Sequence, residues 1–140
     1  MSAIKTTLTG YVGYRGREGQ LSFLLHRITG LGTLLFLSIH ILDTATVYFF
    51  PNLYAHAIDI YRTALFSLGE IALVFCVLYH GANGIRITIF DWFPNLWKIR
   101  TERQWAIITL IFAIIIWLPT AYIMGRNILI FNFGLFGGGG

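Results

Sequence analysis

Three long apolar stretches, each bracketed by charge, constrain this chain more than any other feature of its sequence. The first runs over about 24–50 and is broken only by His26, Arg27, His40 and Asp43. The second runs over about 63–92 and contains Glu70, His80 and Arg86. The third, over about 104–125, carries no charge between Trp105 and Met124. A helix needs about 20 apolar residues to cross the hydrocarbon core of a bilayer, and each stretch meets that length. Helices are the spanning form available, because lipid offers no partner to an exposed backbone amide. Hydrophobic residues make up 56% of the chain and charged residues 11%, with a mean hydropathy of +0.71. A soluble domain of 140 residues has too little interior to hide that much apolar surface. The expectation is a single-domain, all-α integral membrane protein with three transmembrane helices. Composition gives no sign of disorder or of nucleic-acid binding. The single cysteine, Cys76, leaves no intrachain disulfide and no cysteine-rich metal site.

Pro51-Asn52 and Phe93-Pro94 are breaker pairs that end the first two spans. Pro119 should kink the third. Residues 1–22 read as a polar arm with Gly10, Gly13, Gly16 and Gly19 among its charges. No apolar run lies near Met1, so the arm does not read as a cleaved signal peptide. Residues 126–140, ending in Gly137 to Gly140, read as a flexible tail. Eight of the ten Lys and Arg residues fall on one side of the spans: Lys5, Arg15, Arg17, Arg27, Arg86, Lys98, Arg100 and Arg103. Arg62 and Arg126 fall on the other. Basic residues collect on the cytoplasmic side. The N-terminus is therefore expected in the cytoplasm and the C-terminus outside, with Trp92, Trp97 and Trp105 at the inner interface.

Ionisable groups at membrane depth are costly, so each is a candidate for function. His80 lies six residues before Arg86, about 9 Å deeper on the same helix. Gly81, Ala82 and Gly84 beside it are small, which suits either a flat ring system such as haem or close helix packing. His40 lies fourteen residues after His26, about 21 Å along the first span and on nearly the same face. Depth places His80 in the inner half and His40 in the outer half, so the two cannot ligate one iron. His40 is either a ligand to a second group or a hydrogen-bonding partner for another helix. Arg27 and Arg86 suit a carboxylate or a quinone oxygen, or snorkel to the interface; Asp91 is a partner open to Arg86. Glu70 is a candidate proton carrier, or a carboxyl hydrogen-bonded to another helix. No nucleophile–base pair and no phosphate-binding glycine loop is evident.

Two runs carry a resemblance. Ser22-Phe-Leu-Leu-His-Arg-Ile-Thr-Gly30 and Leu78-Tyr-His-Gly-Ala-Asn-Gly-Ile-Arg-Ile-Thr-Ile-Phe-Asp91 resemble the two signatures of the cytochrome b membrane anchor of succinate dehydrogenase, respiratory complex II. Tyr14-Arg-Gly-Arg-Glu-Gly-Gln20 and His40-Ile-Leu-Asp-Thr44 resemble its two-haem branch in menaquinone-using bacteria. The resemblance spans about 14–124. It implies a bacterial cytoplasmic-membrane anchor that packs with a second three-helix anchor and docks an iron-sulfur subunit, itself joined to a flavoprotein. It implies haem b, with His80 and His40 as axial ligands to two haems and the second anchor supplying the opposing ligands. His26, Arg27 and Arg86 would meet haem propionates, and Arg27 and Ser22 a quinone, with menaquinone the expected species. Electrons from succinate would reach the quinone near the inner surface, with Glu70 on a proton route from outside. The family's quinone-site serine often stands three residues before the histidine of the first span. Here that position is Phe23, and Ser22 is displaced by one residue, about 100° around a helix. Dicarboxylate chemistry is not expected of this chain alone, which has no flavin-binding sequence and no cysteine cluster. Competing readings are the haem anchor of another quinone-linked oxidoreductase (fumarate reductase, formate dehydrogenase or hydrogenase), a haem-free structural anchor, and a small transporter subunit using Glu70 and Asp43.

Overall fold

A computed structural model describes residues 18–96 and 98–134. The arm over 1–17, Trp97 and the glycine tail lie outside the described residues. Four α-helices and one 3₁₀ turn make up the rest: α1 (Glu18–Phe49), α2 (Pro51–Tyr61), α3 (Ala64–Trp92), the turn Pro94–Leu96, and α4 (Ile99–Phe133). Within α1, α3 and α4, the stretches Gln20–Phe49, Ala64–Trp92 and Thr101–Phe133 are each long and apolar enough to cross a membrane.

The breaks fall where backbone chemistry puts them. Phe50 precedes a proline and sits at φ −144°, ψ 69°, outside the helical region that its neighbour's ring disfavours. Pro51 then opens α2 at a position where a missing N–H costs nothing. Thr63 is extended before α3, Phe93 leaves the helix before Pro94, and Lys98 is extended before α4. Gly134 closes α4 in the left-handed conformation at φ 63°, its N–H donating to the Ile130 carbonyl at 3.1 Å.

Two boundaries differ from the sequence reading. The link between the first two spans is mostly helix α2 rather than a loop. Residues 126–133 continue α4 rather than begin a tail, because no breaker occurs before Gly134. Pro119 lies within α4, which continues through it.

α3 is the central element and packs on both α1 and α4. Its seam with α4 uses small side chains, with Ala106, Thr109 and Ala113 all buried. Small residues let helix backbones approach where lipid supplies no hydrophobic drive. Trp117 fixes the register: its indole N–H donates to the Ile71 carbonyl at 2.9 Å, with Phe75 edge-on to its ring. Most other apolar side chains, Leu34, Leu42, Leu68 and Ile115 among them, face outward. A bilayer or partner helices satisfy them there.

Candidate functional site

The polar groups gather at the end where α1 begins, α3 ends and α4 begins. Ser22, His26 and Gly30 follow each other at one-turn spacing and share one face of α1. On α3, Tyr79 and Asn83 are likewise one turn apart, with His80 beside them. Tyr79 and Asn83 are each 1% exposed, and Ser22 is buried between them. The Ser22 hydroxyl donates to Asn83 Oδ1 at 3.2 Å and lies 3.3 Å from the Tyr79 hydroxyl. The displaced serine therefore still joins this end. Positions three and four residues before His26 flank its face on either side, so the displacement exchanges one flank for the other. Tyr79 and Asn83 were passed over in the sequence; a tyrosine and an asparagine one turn apart inside an apolar span were the available signal.

His80 sits in a slot on α1. Its ring stacks on His26, with centroids 4.1 Å apart and planes within 4°. A Cβ placed on Gly30 would stand 2.9 Å from His80 Cε1, so glycine there makes room for the imidazole. Cys76 fills the matching space at Gly32. His80 Nδ1 lies 3.1 Å from the His26 carbonyl oxygen. A carbonyl can only accept, so Nδ1 carries the proton and Nε2 keeps its lone pair. Histidines that bind metal through Nε2 are oriented in this way. Gly81 and Gly84 leave space within 4 Å of where a Cβ would stand. His26 Nδ1, buried and without a hydrogen-bond partner, offers a polar atom near that ring. A half-buried imidazole with a fixed tautomer, open small-residue faces and an unspent donor fits a haem. Among the described residues no three His, Cys, Asp or Glu side chains converge.

The remaining candidates lie further out. Arg27 is exposed, its guanidinium 4.4 Å from the centre of the Phe23 ring. Arg86 is half-buried and lines a groove between α3 and α4. Its Nε and Nη1 have no hydrogen-bond partner, and the pairing with Asp91 weighed from sequence is not formed; Asp91 is exposed.

At the opposite end, His40 is exposed and stacks on Phe36, with ring centroids 5.6 Å apart. It lines a cleft of about 530 Å³ with Asp43, Tyr54, Tyr61 and Glu70, roofed by α2. Glu70 also lines a polar cleft of about 720 Å³ with Asp59, Arg62, Asn127 and Asn132. The nearby Asp43 carboxylate, with burial and the charge of Glu70, pushes the Tyr61 pKa above the ordinary 10.0. His40 and His80 thus stand at opposite ends of the bundle.

A three-span helical chain with a histidine held between two helices defines a multi-pass membrane subunit as its class. Residues 13–120 match the family of succinate dehydrogenase/fumarate reductase transmembrane subunits, and the chain belongs to that family. It is also 35% identical over 94 residues to the succinate dehydrogenase 2 membrane subunit SdhC of Mycobacterium tuberculosis, an overlap of 67% of this chain and 69% of that protein. The chain is a multi-pass membrane protein and the membrane anchor of a complex II-type assembly.

Proposed function

We propose that this chain is the haem b-binding anchor of a bacterial succinate:menaquinone oxidoreductase. The observation that carries the reading is the His80 imidazole, its Nδ1 proton held by the His26 carbonyl and its Nε2 left free. His80 would hold one haem and His40 a second toward the α2 end, each iron completed by a histidine of a second anchor subunit. When bound, haem b supplies one-electron transfer between the iron-sulfur subunit, the quinone and the far side of the membrane. The chain's own residues position and protonate. His26 supports the His80 ring and, with Arg27, offers donors to anionic propionates. Ser22 and Arg27 offer donors to a quinone oxygen where α1 begins. Glu70, shared by the two clefts at the α2 end, holds a proton on a route from outside. The basic residues of the arm and of the α3–α4 loop support a cytoplasmic position for this end, against the iron-sulfur subunit. Fumarate reduction by menaquinol uses the same parts in reverse.

The test is the purified native complex. Succinate-driven reduction of a menaquinone analogue, with a Soret band that responds to succinate, is the expected result. A complex that reduces the quinone without a Soret band would make the histidines packing groups. A haem-bearing complex inert to succinate and fumarate would move the chain to another oxidoreductase.

A further inference from the structure

The groove between α3 and α4 is claimed by none of these roles. Ala82, Ile85 and Ile89 form one wall, and Trp105, Ile108 and Phe112 the other; the volume is about 400 Å³. Its polar lining residues are Arg86 and Thr109. From Ala82 to Ile89 it follows α3 for about 10 Å, and Leu96 of the 3₁₀ turn extends it past the helix end. One leaflet's share of the hydrocarbon core is about 15 Å, so the groove covers about two thirds of it along α3. Lys98, just past the turn, is exposed, and its N–H donates to the Leu96 carbonyl at 3.1 Å.

Arg86 is the cation of this groove. Tyr79 and Glu102 act on it electrostatically, yet neither gives Nε or Nη1 a hydrogen bond. A guanidinium with unsatisfied donors at membrane depth is costly, and among the described residues none bonds Nε or Nη1. A quinone is uncharged and would leave that cation unneutralised. We propose that the groove holds an acyl chain of an anionic phospholipid from the adjoining leaflet, its phosphate paired with Arg86 and drawn by Lys98. Basic pockets between helices at the cytoplasmic side bind anionic headgroups by this combination. The inference is independent of how many haems the complex holds.

The experiment reconstitutes the native complex in vesicles of equal phosphatidylglycerol and phosphatidylcholine, re-extracts it, and measures each lipid, quinone and haem per flavin. Wild type should retain phosphatidylglycerol in preference to phosphatidylcholine. Arg86→Gln should lower that retention about fivefold, the equivalent of about 1 kcal/mol for one basic residue at an anionic surface. Ile108→Trp, which fills the groove and keeps the charge, should lower it as well. Haem and quinone should be unchanged in Ile108→Trp. Equal retention of the two lipids in wild type overturns the proposal. So does an Arg86→Gln complex that keeps phosphatidylglycerol and loses haem, which would return Arg86 to a propionate. Retention unaffected by Ile108→Trp, or loss of quinone in place of lipid, overturns it too.

Discussion

Gly30 is the residue on which the His80 site turns. An added methyl would meet the imidazole at 2.9 Å, closer than side-chain contacts allow, and the ring cannot retreat without losing its bond to the His26 carbonyl. Gly30→Ala should therefore lower haem content or shift the α-band of the reduced complex. Gly125→Ala, at a helical glycine with nothing within 4 Å, should leave both unchanged and gain about 0.5–1 kcal/mol of helix stability. Equal spectra for the two variants would remove the slot from the account. The His26, Gly30 and His80 positions were legible in the sequence, because spacing along one helix fixes depth and face. The contact of Ser22 with Tyr79 and Asn83 was not, because it depends on how α1 and α3 are rotated against each other.

At the scale of elements, Tyr61 of α2 and Asp43 of α1 meet at the outer cleft. The sign of the pH dependence follows from the raised Tyr61 pKa. The interaction contributes fully below the ordinary value of 10.0 and is lost as pH rises through the higher folded value. An ultraviolet titration of the complex should show a tyrosinate transition above pH 10 that Tyr61→Phe removes. If the transition that Tyr61→Phe removes lies at or below pH 10, the interaction with Asp43 is contradicted. Sequence hid α2 because Pro51 serves two purposes, ending one helix and opening the next. It hid the last turns of α4 because Arg126 and Asn127 read as the end of an apolar run, whereas the stop signal was Gly134. The Ala106, Thr109 and Ala113 seam was present at helical spacing but drew less notice than the charged residues.

The whole molecule is an incomplete assembly. α3 touches both other spans, yet apolar side chains such as Leu31, Leu35 and Ile111 remain exposed along their length. On the proposed reading, in which His80 and His40 each give one imidazole, the chain is half of a two-subunit haem scaffold. Fold class and span number were legible from hydropathy alone, because the bilayer admits so few solutions. The proposed second ligand of each iron was not, because on that reading it belongs to another chain. The most direct measurement is haem per flavin in the native complex, compared with His80→Leu and with His40→Leu. Two haems, falling to one in each variant, is the expected result. A haem content that neither substitution changes would contradict the assignment of both histidines as axial ligands.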